Sequence, residues 1–77
     1  MDYHVDVRGP SSHYNAMIYT SFRDAMREAA SEARRAMQYK ALEGTTVTVR
    51  AVPHGELPQE PPRGDILAQW KKGKRVL

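Results

Sequence analysis

Four cationic side chains crowd the carboxyl-terminal end of this chain, directly after its one tryptophan, Trp70. They are Lys71, Lys72, Lys74 and Arg75, called here the C-terminal cluster. Cations beside an aromatic ring can contact phosphates while the ring stacks on a base or on an arginine. An ordinary interpretation stays open, because terminal lysines favour solubility and Trp70 keeps the two-residue spacing of Ile66 and Ala68 toward a core. The cluster is the strongest candidate binding site in the sequence.

A second set of cations lies in a run with helical periodicity. The set is Arg23, Arg27, Arg34 and Arg35. Acidic residues interleave with them, and the pairs Asp24–Arg27 and Glu32–Arg35 have a spacing at which helical side chains meet. This pattern favours a mixed, solvated helix face. Arginine is also favoured in protein interfaces, so a protein-binding surface is the alternative.

The remaining chemistry-bearing residues do not predict an enzyme, a metal site or a cofactor. His4, His13 and His54 lie far apart without ligand spacing, and the chain has no cysteine to complete a metal site. His13 follows two serines, yet the sequence places no carboxylate to orient its imidazole for nucleophilic catalysis.

Residues 21–44 are predicted to form one amphipathic helix. Apolar residues recur every three or four positions, at Phe22, Ala25, Met26, Ala29, Ala30, Ala33, Ala36 and Met37. Ser21 with Asp24 resembles a capping box at the start, and Gly44 is suited to the left-handed residue that ends a helix.

Strands are predicted on both sides of the helix. Tyr3, Val5 and Val7 alternate with polar residues, which indicates a strand with one buried face, and residues 14–20 suit the return arm of a hairpin. The preferred register places Met17 and Tyr19 on the buried face; a one-residue slip would bury Ala16 and Ile18 instead. Residues 45–52, with Val47, Val49 and Ala51 inward, and residues 66–70 are two further strands, followed over residues 71–77 by a basic turn at 71–74 and a short last arm at 75–77.

These elements predict an α+β fold formed by a single ββαββ domain over residues 1–77. The sheet should be mainly antiparallel, with the helix packed on one face. Residues 53–63 hold four prolines and a glycine, which exclude a helix and an interior strand. We expect an extended, stiff connecting loop there; a recognition loop is the alternative.

Composition limits the function classes further. The 77 residues are 40% hydrophobic, enough for one small core, and no apolar run is long enough for a signal peptide or a membrane span. We therefore expect a cytosolic protein, as a monomer or a homodimer. The formal net charge is +3, but residues 1–70 carry eight basic and nine acidic side chains, so the basic character belongs to the C-terminal cluster.

The order of elements resembles small phage-encoded inhibitors of the anti-CRISPR type. The stretches TSFRDAMREAASEARRAM and ILAQWKKGKRVL carry this resemblance, which covers element order and size and includes no diagnostic motif. It implies a non-enzymatic protein in the cytoplasm of a bacterial host. Such a protein would bind a host defence complex of CRISPR–Cas type and block its nucleic-acid-binding surface.

We therefore expect a binding protein that uses the C-terminal cluster together with part of the helix face. The alternative is a small protein that binds nucleic acid directly through the same cluster.

Overall fold

The computed structural model describes residues 1–9, 14–39 and 44–77, and these form five strands and one helix. The elements are β1 (Asp2–Arg8), β2 (Tyr14–Tyr19), α1 (Phe22–Gln38), β3 (Thr46–Val52), β4 (Asp65–Lys71) and β5 (Lys74–Arg75). The strands pair antiparallel in one sheet with the order β2-β1-β3-β4-β5. The predicted α+β class and ββαββ order are confirmed, with the last arm as a two-residue fifth strand.

Helix α1 begins where the sequence predicts but ends earlier. Ser21 is the N-cap, and its Oγ accepts a hydrogen bond of 3.3 Å from the backbone N–H of Asp24. The helix ends at Gln38, with Tyr39 as an extended C-cap, so the expected end at Gly44 is wrong. Tyr39 has extended backbone torsions, φ −116° and ψ 118°, which end the helical hydrogen-bond pattern there. Gly44 has φ +90° and serves the approach to β3 instead.

Small residues let α1 lie close to the sheet, above β1 and β3. Its buried face consists of Ala25, Ala29, Ala33 and Ala36. They pack against the fully buried Val5 and Val49, which face the helix from the two central strands. The ends of the predicted stripe fall outside this core, because the side chains of Phe22 and Met37 stay exposed.

The preferred hairpin register is confirmed. Val5 pairs with Met17 and Tyr3 with Tyr19, and both β2 residues pack on the helix side of the sheet. Ile18, which pairs with His4, lies on the opposite side and is 43% exposed.

A β-bulge changes the predicted face of one β4 residue. Val49 pairs with Ala68 but Arg50 pairs with Ile66, so that Leu67 is an extra residue in β4. Bulges of this kind reverse the alternation of side chains beyond them. Ile66 therefore leaves the core face expected from its spacing and is 42% exposed.

The face of the sheet away from α1 is also partly buried, although the alternation predicts a solvated polar face. Asp2, His4, Asp6 and Thr48 are buried on it. Val52 is only 1% exposed there, whereas Ala51, expected inward, is half-buried. The cause is segment 53–63, which lies across this face.

Candidate binding surface

The C-terminal cluster lies on a tight hairpin between β4 and β5. Lys71 pairs with Lys74, and the turn residues Lys72 and Gly73 have φ of +53° and +78°. Positive φ at both central residues is the requirement of a two-residue type I′ turn. The three lysines are exposed at its tip, while the backbone N–H of Lys72 donates to the carbonyl of Thr45 at 3.2 Å.

The tip of this hairpin packs against the carboxyl-terminal half of α1. A Cβ atom on Gly73 would collide with the side chain of Met37 and would lie 3.3 Å from the carbonyl oxygen of Ala33. Glycine at this position therefore permits both the left-handed turn and the close approach to the helix.

Trp70 belongs to the core rather than to the exposed surface. It is 8% exposed, and the guanidinium of Arg75 lies 5.5 Å from the centroid of its ring. This arrangement is a cation–π contact and holds Arg75 over the one indole of the chain. In this conformation the indole of Trp70 is therefore too buried to stack on a nucleic-acid base.

The helix arginines divide into two groups. With 100° per residue, Arg23, Arg27 and Arg34 fall within an arc of about 40° on the outer surface of α1, and all three are exposed. Arg35 lies about 100° away from the middle of that arc. It forms an ion pair of 3.5 Å with Glu32, as the sequence spacing predicts. Among the described residues no ion pair joins Asp24 to Arg27, the other predicted pair.

The acidic residues of α1 lie on the flank that faces β2. Burial raises the pKa of the Tyr19 hydroxyl, and the nearby carboxylates of Glu28 and Glu32 raise it further. Burial also raises the pKa of Glu28, and a hydrogen bond with Glu32 acts in the same direction. We call this flank, formed by Asp24, Glu28 and Glu32, the acidic side.

The other flank of α1 faces the basic hairpin. Met37, which contacts Gly73, is about 60° around the helix from the middle of the arginine arc. The arginine arc on the outer surface of α1 and the hairpin beside the end of the helix thus form a basic surface that is separate from the acidic side. We call it the basic side, and its seven cations are Arg23, Arg27, Arg34, Lys71, Lys72, Lys74 and Arg75.

A second polar cluster, which sequence reasoning missed, fastens segment 53–63 to the sheet. The carboxylate of Asp2 accepts hydrogen bonds of 2.8 Å from the backbone N–H of Gly55 and from Nδ1 of His54. The Gly55 N–H, and next the His54 imidazole, hold the pKa of the Asp2 carboxyl below its usual range. The buried His4 donates from Nε2 to the carbonyl of Glu56 at 2.9 Å, since a carbonyl can only accept.

Ion pairs continue this cluster along β1. Arg8 Nη2 donates to both carboxylate oxygens of Glu60 at 2.9 Å. The Arg50 guanidinium donates to Oδ2 of the buried Asp6 at 2.8 Å, and Oδ1 lies 3.4 Å from Nε of Arg8. A gap of about 10 Å³ beside Asp6 and Arg50 has room for no more than a water molecule. The cluster is therefore a fastening of the loop rather than a ligand pocket.

The sequence signal available for this fastening was ambiguous. Polar residues at every second position of β1 are typical of a solvated face, but in the structure they form hydrogen bonds with His54, Glu56 and Glu60 of a segment that contains four prolines. Segment 53–63 thus connects β3 to β4, as expected, and also covers one face of the sheet; recognition by this loop stays a prediction.

The described residues contain no group of three or more histidine, cysteine, aspartate or glutamate side chains arranged to hold a metal ion. His13 lies outside the described residues. Within the described part of the chain, no helix is both long and apolar enough to cross a membrane. No protein-family model matches this chain, and neither a curated protein nor a solved structure is significantly similar to it.

Proposed function

We propose that this chain is a small non-enzymatic binding protein that docks on an anionic partner through its basic side. Following the resemblance to anti-CRISPR inhibitors, the partner is a host defence complex of CRISPR–Cas type in the bacterial cytoplasm. The docked protein blocks the nucleic-acid-binding surface of that complex.

The separation of charge across the fold is the observation that supports this proposal most. Seven of the twelve cations lie on the basic side, whereas the three acids of α1 lie on the opposite flank. Clustered charge of one sign speeds encounter with a partner of opposite sign and orients it. Complexes of this type hold a guide RNA in a positively charged channel, and the phosphates of that RNA supply the negative charge that the basic side contacts next to the nucleic-acid-binding surface.

The second candidate is direct binding of nucleic acid, which the exposed lysines of the hairpin favour. Trp70 is buried, so such binding would use phosphate contacts rather than base stacking by the indole. The affinity would then be largely independent of base sequence and would fall steeply with salt.

A pull-down from a bacterial lysate that contains a CRISPR–Cas complex separates these candidates. The tagged protein is incubated with the lysate, and half of the sample is treated with nuclease before recovery. A protein partner retained after nuclease treatment supports docking on the complex. Recovery of nucleic acid alone, lost on digestion, supports the second candidate and contradicts the first.

Two adjacent arginines provide a matched pair of variants for this experiment. Arg34→Glu and Arg35→Glu change the net charge equally, but only Arg34 belongs to the basic side. We expect Arg34→Glu to weaken partner binding by about tenfold, the effect of losing one well-placed interface arginine. Arg35→Glu should change it by no more than about twofold. Equal effects of the two variants would contradict the basic side as the interface.

A further inference from the structure

The cations of the basic side form a row rather than a round patch. Arg23, Arg27 and Arg34 follow one another along the outer surface of α1, and all three side chains are exposed. With a rise of about 1.5 Å per residue, they span about 16 Å of the helix axis. Gly73 packs against Met37 nearly one turn further along, so the hairpin tip extends the row to about 21 Å.

The outer arc of α1 is free of acidic residues. Over the length of the helix, all of which the structure describes, the other residues on this arc are the uncharged Ala30, Ser31 and Gln38. The nearest acid, Asp24, lies about 80° around the helix from the middle of the arginine arc. It belongs to the flank that faces β2. A chain of anions can therefore lie along the row without crossing the acidic side.

We propose that the basic side is a track for the sugar–phosphate backbone of one nucleic-acid strand, either RNA or DNA. This inference rests on the proposed function and names the form of nucleic acid that the basic side contacts. A row of this length takes a strand of about four to six nucleotides. The contacts are to phosphates, because Trp70 is buried and the outer arc of α1 carries no aromatic residue.

The acidic side is the reason why the track takes one strand rather than a duplex. The major groove of B-DNA is about 12 Å wide and admits an α-helix, which then has a phosphate backbone beside each flank. One flank of α1 carries Asp24, Glu28 and Glu32, so the second backbone would lie against three carboxylates. Outside the groove, the backbone of a stiff duplex curves away from a straight row, whereas a flexible single strand can follow it.

Fluorescence anisotropy with three labelled probes tests the track. The probes are an unstructured RNA strand of about 12 nucleotides, the DNA strand of the same base sequence, and the DNA duplex formed from it. We expect the two single strands to bind within about threefold of each other and at least about fivefold more tightly than the duplex. For a single strand, the logarithm of affinity should fall against the logarithm of salt concentration with a slope of about 2 to 3, at about 0.7 for each phosphate.

Two arginines of α1 provide matched variants that locate the strand. Arg27→Gln removes a cation from the row, whereas Arg35→Gln removes one outside it, where Arg35 pairs with Glu32. We expect Arg27→Gln to lower the salt slope for the single strand by about 0.7. Arg35→Gln should leave the slope unchanged.

The acidic side is tested separately by the double variant Asp24→Asn and Glu28→Gln. Both substitutions remove charge at nearly constant size. We expect them to strengthen duplex binding more than strand binding, so that the preference for the single strand falls by about threefold or more. An unchanged preference would contradict the role given to the acidic side.

Three further outcomes would overturn the track: a duplex bound as tightly as the strand, equal salt slopes in Arg27→Gln and Arg35→Gln, or a preference above about tenfold between RNA and DNA, which phosphate contacts do not provide. Failure to bind any free strand, with the CRISPR–Cas complex still recovered after nuclease treatment, would overturn the track but leave docking on the complex in place. Strand binding without recovery of the complex would support the track and contradict docking.

Discussion

At the residue scale, glycine and carboxylate positions decide how segment 53–63 lies on the sheet. Gly64 has φ +101°, and a Cβ there would collide with the carbonyl oxygen of Ala51 and lie 2.7 Å from Cγ1 of Val52. Gly55 has a similar φ of +84° but open space around it. Alanine at Gly55 therefore tests the cost of backbone strain alone, whereas alanine at Gly64 tests backbone strain together with a steric clash.

We expect Gly64→Ala to destabilise the fold by about 3 kcal/mol or more, because strain and collision add. Gly55→Ala should cost about 1 to 2 kcal/mol from the left-handed backbone alone. Urea unfolding of both variants measures the difference. Equal losses would mean that the backbone at Gly64 relaxes away from β3.

The Asp2 carboxyl should make stability depend on pH. Its pKa is lowered in the folded chain by Gly55 and His54, so on acidification the unfolded chain takes up this proton first. The contribution is complete above the ordinary carboxyl pKa of about 4 and is lost as the pH falls toward the lowered folded value. Comparing the acid unfolding of wild type and Asp2→Asn tests this, and the variant should lose less stability between pH 5 and pH 2. Parallel curves would contradict the assignment.

At the scale of elements, segment 53–63 covers the sheet because polar side chains along β1 form hydrogen bonds with successive residues of the segment. His4 is the buried anchor, whereas the Arg8–Glu60 ion pair is exposed, with side chains 40% and 63% accessible. A buried hydrogen bond lost with its donor leaves an acceptor unpaired, whereas an exposed ion pair contributes little.

We expect His4→Ala to destabilise the protein by about 1 to 3 kcal/mol and to speed amide exchange in residues 54–60. Glu60→Ala is the matched control on the loop side and should cost less than about 1 kcal/mol. Chemical denaturation and hydrogen exchange measure both effects. A larger effect of Glu60→Ala would move the main anchor from the buried histidine to the surface pair.

At the scale of the whole molecule, the fold separates charges that the sequence interleaves. Asp24, Glu28 and Glu32 alternate with arginines along α1, yet they emerge on the flank toward β2. The arginine arc emerges on the outer surface of the helix. A net charge of +3 therefore conceals a strongly basic side.

If the basic side binds duplex nucleic acid, the logarithm of affinity should fall linearly with the logarithm of salt concentration. The slope reports the number of phosphates neutralised, at about 0.9 for each. Replacing Lys71, Lys72 and Lys74 with glutamine should reduce the slope by about 2 to 3. Fluorescence anisotropy with a short DNA duplex at several salt concentrations measures it. No binding at low salt, or a slope unchanged in the variant, would remove this second candidate.

Local patterns were enough to predict much of the molecule. The alternation of Tyr3, Val5 and Val7 and the cap at Ser21 act over a few residues, so the sequence alone determined β1 and the start of α1. The same holds for the hairpin at Lys72 and Gly73, where the turn depends on short-range backbone geometry. The cationic candidates were visible for the same reason, since charge is a property of each residue.

Tertiary structure decided what depends on distant partners. Helix α1 ends at Gln38 although the sequence pattern continues the helix to Gly44, and the position of Ile66 depends on a bulge between β3 and β4. Burial of His4 and Asp6 requires residues more than forty positions away, and the division of Arg34 from Arg35 depends on which flank of the helix faces which edge of the sheet. These outcomes follow from long-range contacts, which no local pattern of residues contains.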